Sequence, residues 1–274
     1  LSMGFPVKGF PAGPLWLIGC GNMGGAMLRR WIAAGLDPAS VTVITRSGKG
    51  APDGVRSLTA LPDEDAPATL MLALKPQQID AAQAMLAPMK GAPKLLLSIL
   101  AGVDHAALAG RFEADAIVRA MPNLPVAIGK GVTSLYTPGA SAEATTAAEA
   151  FAGPLGHYEW IADEAHFDAV TALAGCGPGF VFRFADALAK AGAALGLPAD
   201  QAARLAIATL EGSAIMAADA DVSPAILADR VASPGGSTRE GMNVLDRDDA
   251  LVALLTETLA ASERRNAEMA AAAR

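Results

Sequence analysis

Two glycine-dense segments carry the chemistry legible in this 274-residue chain. The first, Gly19-Cys20-Gly21-Asn22-Met23-Gly24, follows the apolar run Leu15-Trp16-Leu17-Ile18 and opens a helical stretch from Gly25 to Ala34. Between a strand and a helix each glycine has a steric job. Gly19 allows a tight turn out of the strand, Gly21 lets a pyrophosphate approach the backbone, and Gly24 lets the helix pack close to the sheet. Asn22 and Met23 complete a helix N-terminus that offers unpaired N–H groups and a positive dipole end. Spacing and placement together point to a bound dinucleotide rather than to a turn that merely needs glycine. The second segment, Ser233-Pro234-Gly235-Gly236-Ser237-Thr238, lies between helices in an alanine-rich C-terminal half. A purely structural turn there rarely needs two adjacent glycines plus hydroxyls.

Other polar residues fall where parallel strands would end. An Asp or Glu after the second strand usually holds a ribose 2′-hydroxyl. Here the chain reads Thr45-Arg46-Ser47-Gly48-Lys49, with two cations and no acid. That favours NADPH, with NADH as the alternative, because a carboxylate would repel a 2′-phosphate with which Arg46 and Ser47 can pair; the competing reading is a solvated basic loop. Lys75-Pro76 follows the third strand, where a nicotinamide should lie, and Lys75 serves either there or as an ordinary strand-end lysine. Asn123, in Met121-Pro122-Asn123-Leu124-Pro125, either orients a carboxamide or substrate or shapes a turn.

Composition removes other function classes. Hydrophobic residues make up 52% of the chain, but no run of about 18 apolar residues occurs, so no membrane span is expected. A formal net charge of −7 leaves no basic face for nucleic acid. The two cysteines, Cys20 and Cys176, lack metal-ligand spacing, so neither a structural disulfide nor a metal site is expected. His105, His157 and His166 are scattered, without the arrangement of a triad. The first 14 residues show no targeting pattern, which makes the cytoplasm the expected location.

The elements that must position these residues follow from periodicity. Short apolar runs at 15–18, 41–45, 70–74, 95–99, 117–119 and 132–136 alternate with helical segments at 24–34, 77–85, 105–109 and 141–153, and a last strand is expected at 157–160. This is the pattern of an α/β Rossmann domain with a doubly wound, mostly parallel sheet, over residues 1–162. From 163 to 274 the texture is all-α: a long stretch from 165 to 195 interrupted at Gly175-Cys176-Gly177-Pro178-Gly179, a helix over 201–218 N-capped by Asp200, then helices at 225–231, from Ser237, and over 249–271. Small side chains along these helices suggest close packing across a dimer.

Taken in order, Gly19 to Gly25, Ala73-Leu74-Lys75-Pro76-Gln77, Ser98-Ile99-Leu100-Ala101-Gly102, Arg119-Ala120-Met121-Pro122-Asn123, Asp168 to Leu173 and Ser233 to Thr238 resemble the pyrroline-5-carboxylate reductase family, over nearly the whole chain. The resemblance implies reduction of the cyclic imine of 1-pyrroline-5-carboxylate to L-proline, the last step of proline biosynthesis. It implies a helical dimerisation domain, often a decamer of five dimers, and an active site completed by helices of the partner subunit. By match, Ser233, Gly235, Gly236 and Ser237 hold the substrate carboxylate, and the Thr238 hydroxyl approaches the ring nitrogen as the catalytic group. Thr59 stands where the family often uses an asparagine near the adenosine ribose.

Such chemistry needs little acid–base machinery, because a protonated cyclic imine is already electrophilic and requires chiefly alignment with the cofactor. The chain departs from the family at Ala174-Gly175-Cys176-Gly177-Pro178-Gly179-Phe180, which loses two hydroxyls and a phenol; Cys176 lines the substrate pocket or packs as a small thiol. Arg239 and Glu240 also replace residues that are usually apolar or small. A related imine reductase with another cyclic substrate and a non-catalytic dinucleotide-binding protein are the alternatives. A 3-hydroxyacid dehydrogenase would need a lysine in the long helix, where Lys190 is the sole candidate.

Overall fold

The computed structural model describes residues 9–273. Among the described residues eight strands, β1 (Leu15–Ile18), β2 (Val41–Ile44), β3 (Arg56–Leu58), β4 (Thr69–Leu72), β5 (Leu95–Ser98), β6 (Ile117–Pro122), β7 (Gly131–Tyr136) and β8 (Gly156–Trp160), form one sheet in the order β3-β2-β1-β4-β5-β6-β7-β8. All neighbours run parallel except β6 and β7, which meet antiparallel. The central strands β1, β2, β4 and β5 are buried at every position and mostly apolar, because both faces are covered. Trp16, Ile18, Leu70, Leu72 and Leu96 face the helices α2 (Ile79–Leu86) and α3 (His105–Ala109). Leu15, Leu17, Met71, Leu95 and Leu97 face α1 (Asn22–Ala33) and α4 (Ala142–Ala152). On that second face Trp31 packs edge-on to Phe151, with ring centroids 5.2 Å apart, and its indole N–H donates to the Phe151 carbonyl at 2.7 Å.

The remaining helices are α5 (Phe167–Val170), α6 (Gly177–Ala194), α7 (Ala199–Asp219), α8 (Pro224–Val231), α9 (Ser237–Leu245) and α10 (Ala250–Ala273). By packing, the chain forms two compact units, one containing the sheet with residues up to Cys176 together with 262–273, the other spanning Gly177–Ala261. The expected division at 162/163 thus differs from the packing boundary, and the reason is local. Phe167 is buried beneath the Arg119 guanidinium, 3.9 Å from the ring centroid, and Thr171 and Ala172 are buried as well. Asn266 on α10 donates to the Asp168 carbonyl at 3.3 Å. The segment after α5 is a π-helical turn, Thr171–Gly175, and Pro178 falls in the first turn of α6, where a missing N–H costs nothing.

In the helical unit α6 and α7 pack as a hairpin, with Gly192 close against Ala202. Asp200 is not the N-cap of α7; the helix begins at Ala199 after Pro198, and Asp200 pairs instead with Arg204 at 2.7 Å. Among the described residues of this unit the buried apolar side chains are Ala202, Ala206 and Ala232, whereas Phe182 is 59% and Ile207 60% exposed. Among the described residues, no helix is long and apolar enough to cross a membrane.

One core position is imperfect. Thr133 on β7 is 1% exposed, and its hydroxyl has no hydrogen-bond partner beside a small void lined by Met71, Leu97, Ala120 and Phe151. An unpaired buried hydroxyl costs about 1 kcal/mol or more. Thr133→Val should therefore raise Tm by about 2 °C in a thermal melt; a lower Tm would show that the hydroxyl contributes more than its desolvation costs.

Candidate active site

Strands β1, β2, β4, β5 and β6 all release the chain at the same sheet edge, and the winding reverses between β2 and β4, on either side of β1. A crevice opens at such a switch point. Here it is a cleft of about 920 Å³, lined by residues 19–24, by Thr45, Arg46, Ser47 and Lys49, by Ala73, Leu74, Lys75 and Gln78, and by Ile99, Met121 and Pro122.

Gly19 adopts a φ of +91°, and a Cβ there would lie 2.5 Å from the Ala73 carbonyl oxygen. Its N–H donates to the Ile44 carbonyl at 2.9 Å, while the Ala73 N–H donates to Ile18 at 2.8 Å, so the exits of three strands are tied together. A Cβ on Gly24 would come within 2.9 Å of the Ala73 Cβ, which fixes how close α1 lies to the sheet. At Gly21 the same test meets no protein atom within 4 Å, so the space a side chain would take is the cleft itself. Asn22 and Met23 then start α1 with N–H groups unused by the helix. This cradle fits a pyrophosphate.

The charged side chains in the rest of the lining are all cationic. Among the described residues it contains Arg46, Lys49 and Lys75 and no carboxylate. Thr59 lies just after β3, an edge strand absent from the sequence-based expectation, and its methyl abuts Gly48 without reaching the cleft lining. Pro76 starts a 3₁₀ turn, Pro76–Gln78, that shapes the rim, and the Lys75 N–H donates to the Gln78 side-chain oxygen at 3.2 Å. Gln78 and Cys20 also line the cleft. The sequence carried a signal for the first, a glutamine three residues after the strand-end lysine in capping-box spacing.

Asn123 is held between two backbone segments. It is buried, its side-chain N–H donates to the Ala174 carbonyl at 2.9 Å, and its oxygen accepts from the Val132 N–H at 2.8 Å. One N–H and the oxygen of the amide thus hold backbone, which ties Asn123 to the turn after β6. Arg119, two residues before the lining Met121, is 5% exposed and pairs with Glu164 at 2.5 Å. That carboxylate also accepts the His105 backbone N–H at 2.7 Å.

The second glycine-dense segment lies in the helical unit. Gly235 takes a φ of +73°, which turns the chain into α9. The Gly236 N–H is not presented outward; it donates back to the Ser233 carbonyl at 3.0 Å. The donors free for an anion are those of the first turn of α9, at Ser237, Thr238 and Arg239, with the side chains of Ser233, Ser237 and Thr238 exposed. Arg239, a departure from the family pattern, anchors this start from behind, donating to Asp229 at 2.8 Å and to the Ala232 carbonyl at 3.2 Å. Cys176 is a partly exposed free thiol at the end of the π-helical turn. Lys190 is exposed and paired with Asp186 at 2.8 Å, a surface interaction that pulls the Asp186 carboxyl below its usual range. Among the described residues no cluster of His, Cys, Asp or Glu could hold a metal ion.

A doubly wound sheet with a glycine-bounded helix start at its switch point and an acid-free, cationic rim defines a nicotinamide-dinucleotide-binding oxidoreductase. A family model described as pyrroline-5-carboxylate reductase dimerisation matches residues 164–269, and one described as NADP oxidoreductase, coenzyme F420-dependent, matches residues 15–102. The chain is 35% identical to a pyrroline-5-carboxylate reductase of Pseudomonas aeruginosa over 267 residues, which is 92% of this chain and 95% of that one. The solved structure of a pyrroline-5-carboxylate reductase from Coxiella burnetii matches with a TM-score of 0.81 at 28% identity, covering 94% of this chain and 98% of the other. Plasmodium falciparum pyrroline carboxylate reductase, solved with NADP bound, shares the fold with a TM-score of 0.79 at 23% identity, over 96% of this chain and 100% of that one. This chain belongs to the pyrroline-5-carboxylate reductase family, whose members are NAD(P)H-dependent oxidoreductases acting on a C=N bond.

Two glycine variants separate fold from binding. Gly21→Ala should leave Tm unchanged and weaken dinucleotide binding about tenfold, read by fluorescence titration, because its methyl enters the cleft. Gly19→Ala, forced to a positive φ and into the Ala73 carbonyl, should lower Tm as well.

Proposed function

We propose that this chain reduces the C=N bond of 1-pyrroline-5-carboxylate to give L-proline, with NADPH as the preferred donor, as a cytoplasmic step of proline biosynthesis. The observation that carries the donor preference is the acid-free rim at the end of β2, where Arg46, Ser47 and Lys49 line the cleft and a carboxylate would repel a 2′-phosphate. When bound, the reduced nicotinamide supplies the hydride. The chain's own residues bind and align. Gly19 to Gly24 hold the pyrophosphate on the start of α1, and Lys75 and Met121 border the nicotinamide end of the cleft. The first-turn N–H groups of α9 and the hydroxyls of Ser233 and Ser237 receive the substrate carboxylate, while Gly235 and Gly236 set the turn that aims them. The Thr238 hydroxyl accepts a hydrogen bond from the protonated ring nitrogen, which keeps C5 electrophilic; the product amine exchanges protons with solvent.

A dimer, assembled into a decamer of five dimers in the larger form, belongs to the same reading. Its support is the dimerisation model over residues 164–269 and the exposed apolar faces of α6 and α7. The changed segment Cys176-Gly177-Pro178-Gly179-Phe180 favours a second reading, a reductase of a related cyclic imine of different ring size.

The deciding assay follows NADPH oxidation with 1-pyrroline-5-carboxylate and with cyclic imine carboxylates of other ring sizes. Turnover fastest on the five-membered ring is expected; preference for another ring would establish the second reading, and none on any would remove both. Thr238→Ala should lower kcat about tenfold while NADPH still binds, and unchanged turnover would take Thr238 out of the mechanism. Arg46→Asp should raise KM for NADPH about tenfold or more and leave NADH unaffected. Lys190→Ala, on an exposed surface pair, should leave turnover unchanged; its loss of activity would point to hydroxyacid dehydrogenase chemistry instead.

A further inference from the structure

The loop that carries Arg46, Ser47 and Lys49 is exposed, yet it is tied to the protein at both ends. At its far end the Cys20 thiol, in the turn between β1 and α1, donates to the Gly50 carbonyl oxygen at 3.3 Å. The two segments lie near each other there, with room for a Cβ on Gly50 in ordinary van der Waals contact, 3.5 Å from the Cys20 carbonyl oxygen. At its near end the Thr45 N–H is held by the Leu58 carbonyl at 3.0 Å, and the Thr45 hydroxyl donates to the Lys49 carbonyl at 3.4 Å. Cys20, Thr45 and Lys49 all line the same cleft. Burial pushes the Cys20 thiol above its ordinary pKa, against the opposing pull of Arg29. The sulfur therefore keeps its proton at neutral pH and acts as a donor, not as a nucleophile.

We propose that Cys20 is a positioning residue for cofactor choice: its bond to Gly50 ties the phosphate-reading loop to the pyrophosphate turn and sets the spacing at which Arg46 and Lys49 meet a ribose 2′-phosphate. The proposal rests on the NADPH reading above. A dinucleotide fixes the distance between its pyrophosphate and its 2′-phosphate through one ribose, so a loop already held at that distance binds without ordering cost. A cofactor without the 2′-phosphate gains nothing from the tether. The bond thus acts on discrimination and not on binding in general.

The test measures kcat/KM with NADPH and with NADH for the unaltered enzyme, Cys20→Ala, Cys20→Ser and Thr45→Val. One weak hydrogen bond is worth about threefold in an equilibrium. Cys20→Ala should lower the NADPH:NADH ratio about threefold through KM for NADPH, Thr45→Val should move it the same way, and Cys20→Ser, which keeps a donor, should retain most of it. Equal losses with both cofactors, an unchanged ratio, or a serine variant no better than alanine would overturn the proposal. Failure of the underlying reading looks different: the unaltered enzyme would show no preference for NADPH, and Arg46→Asp would change nothing.

Discussion

The level pairing of β1 with both of its neighbours is the constraint on which the cofactor cleft depends. Leu15 stands opposite Val41 on one side and Thr69 on the other, and Ile18 opposite Ile44 and Leu72, so three strands end at one height. Gly19, Thr45 and Ala73 therefore leave the sheet side by side. A slip of one residue in either pairing would turn every side chain of a strand to the wrong face and separate the pyrophosphate turn from the loop after β2. The close contacts at Gly19 and Gly24 are the local expression of this register, because both are made with Ala73 at the end of β4.

Much of this was legible in the sequence, and the reason is burial. Strands covered on both faces are mostly apolar, so β1, β2, β4 and β5 announce themselves as runs, and the glycine spacing marks the turn after β1. β3 was missed because Arg56-Ser57-Leu58 is short, polar and at the sheet edge, where only one side is paired. The role of Asn123 depends on the backbone of Ala174 and Val132, distant in sequence, and no local pattern reveals it. Arg239 drew attention as a departure; its partners on and just after α8 give it a reason that composition could not supply. The inward bond of the Gly236 N–H to Ser233 is likewise invisible to a motif, as it depends on the conformation of the turn.

Charge in this molecule has to be read at two scales. The chain as a whole carries −7, yet the cleft wall presents Arg46, Lys49 and Lys75 without a carboxylate among the described lining residues. At physiological salt, fields from charges beyond about 8–10 Å are largely screened, so the cleft responds to its own lining and not to the net sum. An acidic protein can thus hold a strongly anionic small molecule while having no affinity for a polyanion, which would meet the whole surface.

The helical unit, with three buried alanines and exposed Phe182, Ile207 and Met216, has little core of its own. A unit whose apolar side chains face outward draws its stability from whatever covers them, and in the proposed dimer the covering surface is another copy of the same helices. Its folding is then coupled to association, and its melting temperature becomes a function of protein concentration, as mass action requires. Dilution would loosen the C-terminal half while leaving the sheet unit, with its two covered faces, intact.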